Sequence, residues 1–195
     1  MLNAFTCPAG SVYRRLAAVL PIVAFIALPS AGVAQNVLTP ESAAAVKAAY
    51  LADLDNMRGK FVGLAQAFPQ DKYTWRPMEG VRSVSEVLML IASEGYGFAP
   101  TILGGKAAMP RAEMGKLSSI TDKEQVIEQL NKAFDYAKKE ITAIDPSTLL
   151  GTRRAMGREM ALPGLVLFVD GDMHEHLGQL IAYARMNHIV PPWSK

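Results

Sequence analysis

The feature that most limits what this chain can fold into is the spacing of its apolar residues. Val46, Tyr50, Leu54, Met57, Phe61, Leu64 and Phe68 recur at steps of four and three. Ile127, Leu130, Phe134, Ala137, Ile141 and Ile144 do the same. That period places an apolar stripe along one side of an α-helix and is incompatible with a strand, whose period is two. A helix with one apolar side must bury it against others of its kind.

End signals divide the chain into helices. Thr39-Pro40-Glu41 supplies a hydroxyl cap, a proline at the first helical position and an acid near the positive end of the dipole, and the first helix then runs to Pro69. Phe68 to Pro77 carries two prolines and several aromatics and reads as an ordered loop, with Trp75 plugging one end of the molecule. Ser83 with Glu86 makes a capping box for a second helix, whose buried side is Val84, Val87, Leu88, Ile91 and Phe98 and which Gly95, Gly97 and Pro100 weaken beyond Tyr96. A loop through Gly104-Gly105 and Pro110 follows. Thr121 with Glu124 predicts the cap of a third helix, stopped by Asp145-Pro146. Residues 147–163 read as an irregular connection, whose Arg153, Arg154 and Arg158 are either solvated or an anion site. Pro163-Gly164 leads into a fourth helix that ends near Asn187. No segment reads as a strand, so the expectation is an all-α fold, a single antiparallel four-helix bundle.

The N-terminus reads as an address. Arg14-Arg15 precede the apolar run Leu16 to Leu28, and Pro29 to Ala34 offer small residues suited to signal peptidase. The run is too short for a membrane span of about 20 residues. Residues 1–34 are therefore expected to be a secretory signal and 35–195 one domain, exported to the periplasm or beyond, with no stable membrane insertion after cleavage.

Removing Arg14 and Arg15 from 20 basic residues leaves 18 against 18 acids, so the +2 formal charge of the whole chain vanishes. A neutral chain argues against nucleic acid, which demands a basic face. The one cysteine, Cys7, leaves with the signal, which excludes a thiol nucleophile, a disulfide or a thiolate metal ligand. Any site is built from His, Asp and Glu.

Such residues cluster in Asp172-Met173-His174-Glu175-His176-Leu177-Gly178-Gln179. On a helix, Asp172, His176, Gln179 and Tyr183 share a narrow stripe that continues Leu165, Phe168 and Val169, so a carboxylate and an imidazole point toward buried surface. Buried polar groups need partners. The i, i+4 spacing lets Asp172 and His176 share a divalent metal ion or, equally, hydrogen-bond to each other inside the bundle. His174 points roughly the other way.

The order of a long first helix, Tyr73-Thr74-Trp75-Arg76-Pro77, Val81 to Leu88, a capped third helix, His176-Leu177-Gly178-Gln179-Leu180 and the tail Ile189-Val190-Pro191-Pro192 resembles the DinB-like (YfiT-like) family of metal-dependent enzymes. The resemblance spans about residues 40–194. It implies a divalent metal, Zn, Ni, Fe or Mn, held by three histidines, one on the second helix and two spaced H-x-x-x-H on the fourth. His176 matches the last of these, Asp172 takes the place of its partner, and Leu90 stands at the second-helix position, where it cannot bind a metal. Glu86 and Glu94 lie one turn either side of Leu90; Glu86 is already used as a cap, which makes Glu94 the substitute ligand beside Asp172 and His176. His174, Glu175 and His188 are further candidates.

The resemblance thus implies hydrolase or transferase chemistry on a small molecule that the residues do not identify. The alternative is a non-catalytic binding or structural bundle that has lost its metal, with Leu90 filling the space. Relatives often pair as homodimers, although no exposed apolar patch is visible in the sequence.

Overall fold

The computed structural model describes residues 38–194; the signal expected over residues 1–34 lies outside the described residues. The described part is predominantly helical. α1 (Pro40–Ala67) begins at Thr39, whose side chain accepts from the Ser42 amide while Ser42 accepts from the Thr39 amide. α2 (Val84–Ser93) begins at the box formed by Ser83 and Glu86, with Ser83 N donating to Glu86 Oε2 at 2.7 Å. Both caps meet amide donors that no helix can satisfy internally.

α2 does not stop at Tyr96. A π turn, Glu94–Phe98, carries it into α3 (Ala99–Leu103), so the glycines loosen the helix without ending it. Gly95 is needed for close approach: a Cβ there would lie 3.0 Å from the Ala133 carbonyl oxygen. α3 ends at Gly104, at φ +98°, a left-handed position that glycine takes without strain. The stretch after it contains a short helix, α4 (Arg111–Lys116).

α5 (Lys123–Ala143) starts one residue later than the sequence suggests. Its cap is Asp122, which accepts from the Gln125 amide at 3.0 Å, and not Thr121. Either residue type caps well, and the structure uses the acid. α6 (Leu162–Met186) ends at Asn187.

The connection before α6 is a small antiparallel hairpin, β1 (Arg153–Ala155) with β2 (Arg158–Met160), which corrects the expectation of no strand. Met156 and Gly157 both take positive φ, +48° and +79°, the conformation of a two-residue hairpin turn. Arg153 is structural, since its guanidinium packs over Gly104 and donates to the Thr148 carbonyl at 3.1 Å.

α1 packs on α5 and α6, and α2 packs on α5 and α6. The core they share includes Tyr50, Leu54, Met57, Phe61 and Leu64 of α1, Val87, Leu88 and Ile91 of α2, Leu130, Phe134 and Ile141 of α5, and Leu165, Val169, Met173, Leu177 and Leu180 of α6. Trp75 does pack against the core, edge-on to Tyr183 with ring centroids 5.5 Å apart. No described helix is long and apolar enough to cross a membrane.

Candidate metal centre

α6 has an apolar stripe, Val169, Met173 and Leu177, flanked by polar positions on both sides. Asp172 and His176 lie about 200° around the helix from Asp170 and His174, and each pair is spaced i, i+4. One pair looks toward the α2 side and the other toward α1.

On the α2 side, Glu94, Asp172 and His176 each present a ligand atom within 4.8 Å of the other two. All three are half-buried, at the flank of the core and not in its middle as the sequence stripe suggested. Glu94 reaches the site because it opens the π turn, a local widening often found where a helix presents functional groups. Burial, reinforced by the facing carboxyl of Asp172, pushes the Glu94 carboxyl up to about 8; Arg82 pulls the other way. Two carboxyl groups in contact can share a proton or a cation, because both cannot stay charged with nothing between them.

A hydrogen-bond chain orients His176. Tyr183 Oη donates to the Arg82 carbonyl at 3.0 Å, so it accepts from Gln179 Nε2 at 2.8 Å. Gln179 Oε1 is thereby turned toward His176 Nδ1, 3.1 Å away. An amide oxygen only accepts, so Nδ1 carries the proton and Nε2 keeps its lone pair. The Arg82 carbonyl is itself fixed by the cap at Ser83, so the start of α2 sets the tautomer of an imidazole on α6.

The centre opens onto a cleft of about 630 Å³ lined by Leu90, Glu94, Phe98, Phe168 and Asp172 and bordered by Arg111, Met114 and Met156. Leu90, the residue in place of a ligand, forms part of the cleft wall. Met156 comes from the hairpin that the sequence did not reveal.

The other candidates lie elsewhere. Glu86 is engaged by its cap and by Arg76 at 3.2 Å. Glu175 is exposed. His188, at φ +58°, lines a separate recess with Arg185 and Pro191. His174 turns to α1, where its Nε2 lies 2.7 Å from Asp53 Oδ2. Asp53, on the flank of α1, thus has a specific partner, and Asp170 joins the pair. The signal for Asp170 was present in the sequence, in the same i, i+4 spacing to His174 that singled out Asp172 and His176.

The donor set on the α2 side suits a divalent ion. Two carboxylates and one imidazole with a free Nε2 make three ligands, the number that leaves a position open in catalytic sites. The family model of the DinB superfamily matches residues 53–180, which contain all three. No curated protein matches the chain.

Proposed function

Because the chain belongs to the DinB superfamily, we propose that it is a divalent-metal-dependent hydrolase or transferase that acts on a small molecule through Glu94, Asp172 and His176. The observation that carries this reading is the convergence of those three side chains, from the π turn and from α6, two of which, Glu94 and Asp172, line a cleft large enough for a small substrate. The reading takes α1, α2 with its π turn, α5 and α6 as the four helices of the family bundle.

The residues divide the work. Glu94, Asp172 and His176 would hold the ion, which supplies Lewis-acid polarisation of a substrate oxygen and lowers the pKa of water. Gln179 and Tyr183 keep His176 in the tautomer that ligates. Phe98 and Phe168, stacked edge to face at 5.8 Å, give the cleft an apolar wall that excludes water from one side of a substrate. Arg111 at its border offers a cation to an acidic or phosphorylated end.

The pattern Arg14-Arg15, Leu16 to Leu28 and Ala34 supports work outside the cytoplasm, where thiol cosubstrates are scarce. Of the metals, Zn or Mn suits an oxygen-rich set best, with Ni and Fe as the other members of the family range. A second reading, a binding bundle without chemistry, draws on Leu90 in the place of a ligand.

Elemental analysis of untagged, metal-replete protein, paired with a panel of ester, amide and phosphoester substrates, tests the proposal. The expected result is stoichiometric metal and a turnover that His176→Ala abolishes. Less than about a tenth of an equivalent of Zn, Ni, Fe and Mn together would overturn it.

A further inference from the structure

On the opposite flank of the same helix stands a second set of metal-ligating side chains. Asp53 of α1 and Asp170 and His174 of α6 each present a ligand atom within 4.8 Å of the other two. We propose that they form a second divalent-cation site, separate from the centre at Glu94.

The geometry is that of a three-ligand site. Asp170 and His174, one turn apart on α6, meet Asp53 across the helix interface; Asp53 Oδ2 is 2.7 Å and Asp170 Oδ2 3.9 Å from His174 Nε2. A surface ion pair needs one acid, and here there are two. Among the described residues neither acid is matched by a lysine or arginine, so the pair faces a single imidazole. Burial and the neighbouring Asp53 raise the Asp170 carboxyl. Burial works the same way on Asp53, but hydrogen bonds from Asn56 and His174 hold it below the usual carboxylate range.

Two orphaned atoms point to a missing partner. Asp170 Oδ1 is buried with no hydrogen bond among the described residues, and the same is true of Tyr50 Oη. Tyr50 is 2 % exposed, one turn before Asp53 on α1. Burial first, and then the charges of Asp170, Glu94 and Asp53, push its phenol up. With Glu94 it borders a small cavity of about 20 Å³, room for one water. That cavity does not reach Asp170, whose oxygen is left for a cation. Asp170, Glu94 and Asp53 all act on this one buried phenol, and a cation at each acidic set relieves the negative charge concentrated there. Two carboxylates and an imidazole suit Zn or Mn, and side-chain exposures of 27 to 45 % leave room for coordinated water.

Zinc titration of the full chain and three variants tests this, with circular dichroism to check that each is folded. The expected uptake is about two equivalents for the wild type and about one for each of His174→Ala and His176→Ala. Asp170→Asn, which keeps the shape of the side chain, should behave as His174→Ala does. If His174→Ala and Asp170→Asn bind as much zinc as the wild type and lose only thermal stability, the cluster is an ion pair alone and the proposal is overturned. If the wild type binds about one equivalent, lost in His174→Ala but kept in His176→Ala, this site stands and the one at Glu94 falls.

Discussion

His176 Nδ1 lies 3.1 Å from Gln179 Oε1, and the contact fixes which nitrogen of the ring is free. Because the Gln179 amide nitrogen donates to Tyr183, and Tyr183 spends its own hydrogen on the Arg82 carbonyl, the amide oxygen faces the ring and the imidazole must donate through Nδ1. Gln179→Ala removes the acceptor and lets the proton move to either nitrogen. Zinc affinity measured by chelator competition should fall about 10- to 100-fold, with helix content unchanged. Tyr183→Phe should cost less, since Gln179 itself remains. An unchanged affinity in Gln179→Ala would mean that the ring does not ligate through Nε2.

The pH dependence of the metal-free protein reports on Glu94. Its carboxyl titrates near 8 in the folded chain against 4.5 for the free side chain. Between those values the folded state holds a proton that the unfolded state has released, so stability falls as pH rises through that window. The loss is on the order of 5 kcal/mol at most. Glu94→Gln should remove this slope, leaving the variant more stable than the wild type at pH 8 in the absence of metal. Denaturant titrations at pH 5 and pH 8 check it; parallel pH curves for the two proteins would contradict it.

Gly95→Ala sets two effects against each other. Alanine gains about 1 kcal/mol in helix propensity, but its Cβ would meet the Ala133 carbonyl oxygen at 3.0 Å. The obstacle is the backbone of α5, which cannot swing aside, and overpacking of this kind costs about 1–3 kcal/mol. Net destabilisation of about 1 kcal/mol is expected, with zinc affinity lowered as the π turn next to Glu94 shifts. Chemical denaturation alongside the same chelator assay measures both.

Ser83→Ala breaks the box at the start of α2. The loss of a cap of this kind costs about 1 kcal/mol, a fall in Tm of roughly 2–4 °C for a domain of this size. Because the Arg82 carbonyl anchors Tyr183, metal affinity should drop as well, which a purely structural cap would not cause. Calorimetry with and without zinc separates the two.

The long helices were legible because burial imposes a period that few other constraints disturb. Thr39, Ser83 and the end near Asn187 followed from the same logic of unsatisfied amides and carbonyls. The hairpin was not legible: three-residue strands rich in arginine show no alternation, and Met156-Gly157 is an uncommon way to write a turn. Nor was the π turn, since glycines at 95 and 97 weaken any helix and do not say which form it then takes. Glu94 could be reached from its spacing to Leu90. Asp53 could not, because an acid on the flank of a long helix looks solvated until the partner helix is in place.

The most direct test is anomalous diffraction at the zinc edge from crystals grown with zinc. A peak about 2.0–2.2 Å from His176 Nε2 and from carboxylate oxygens of Glu94 and Asp172 is the predicted result. A fully ordered map with no peak among those three side chains would contradict the account.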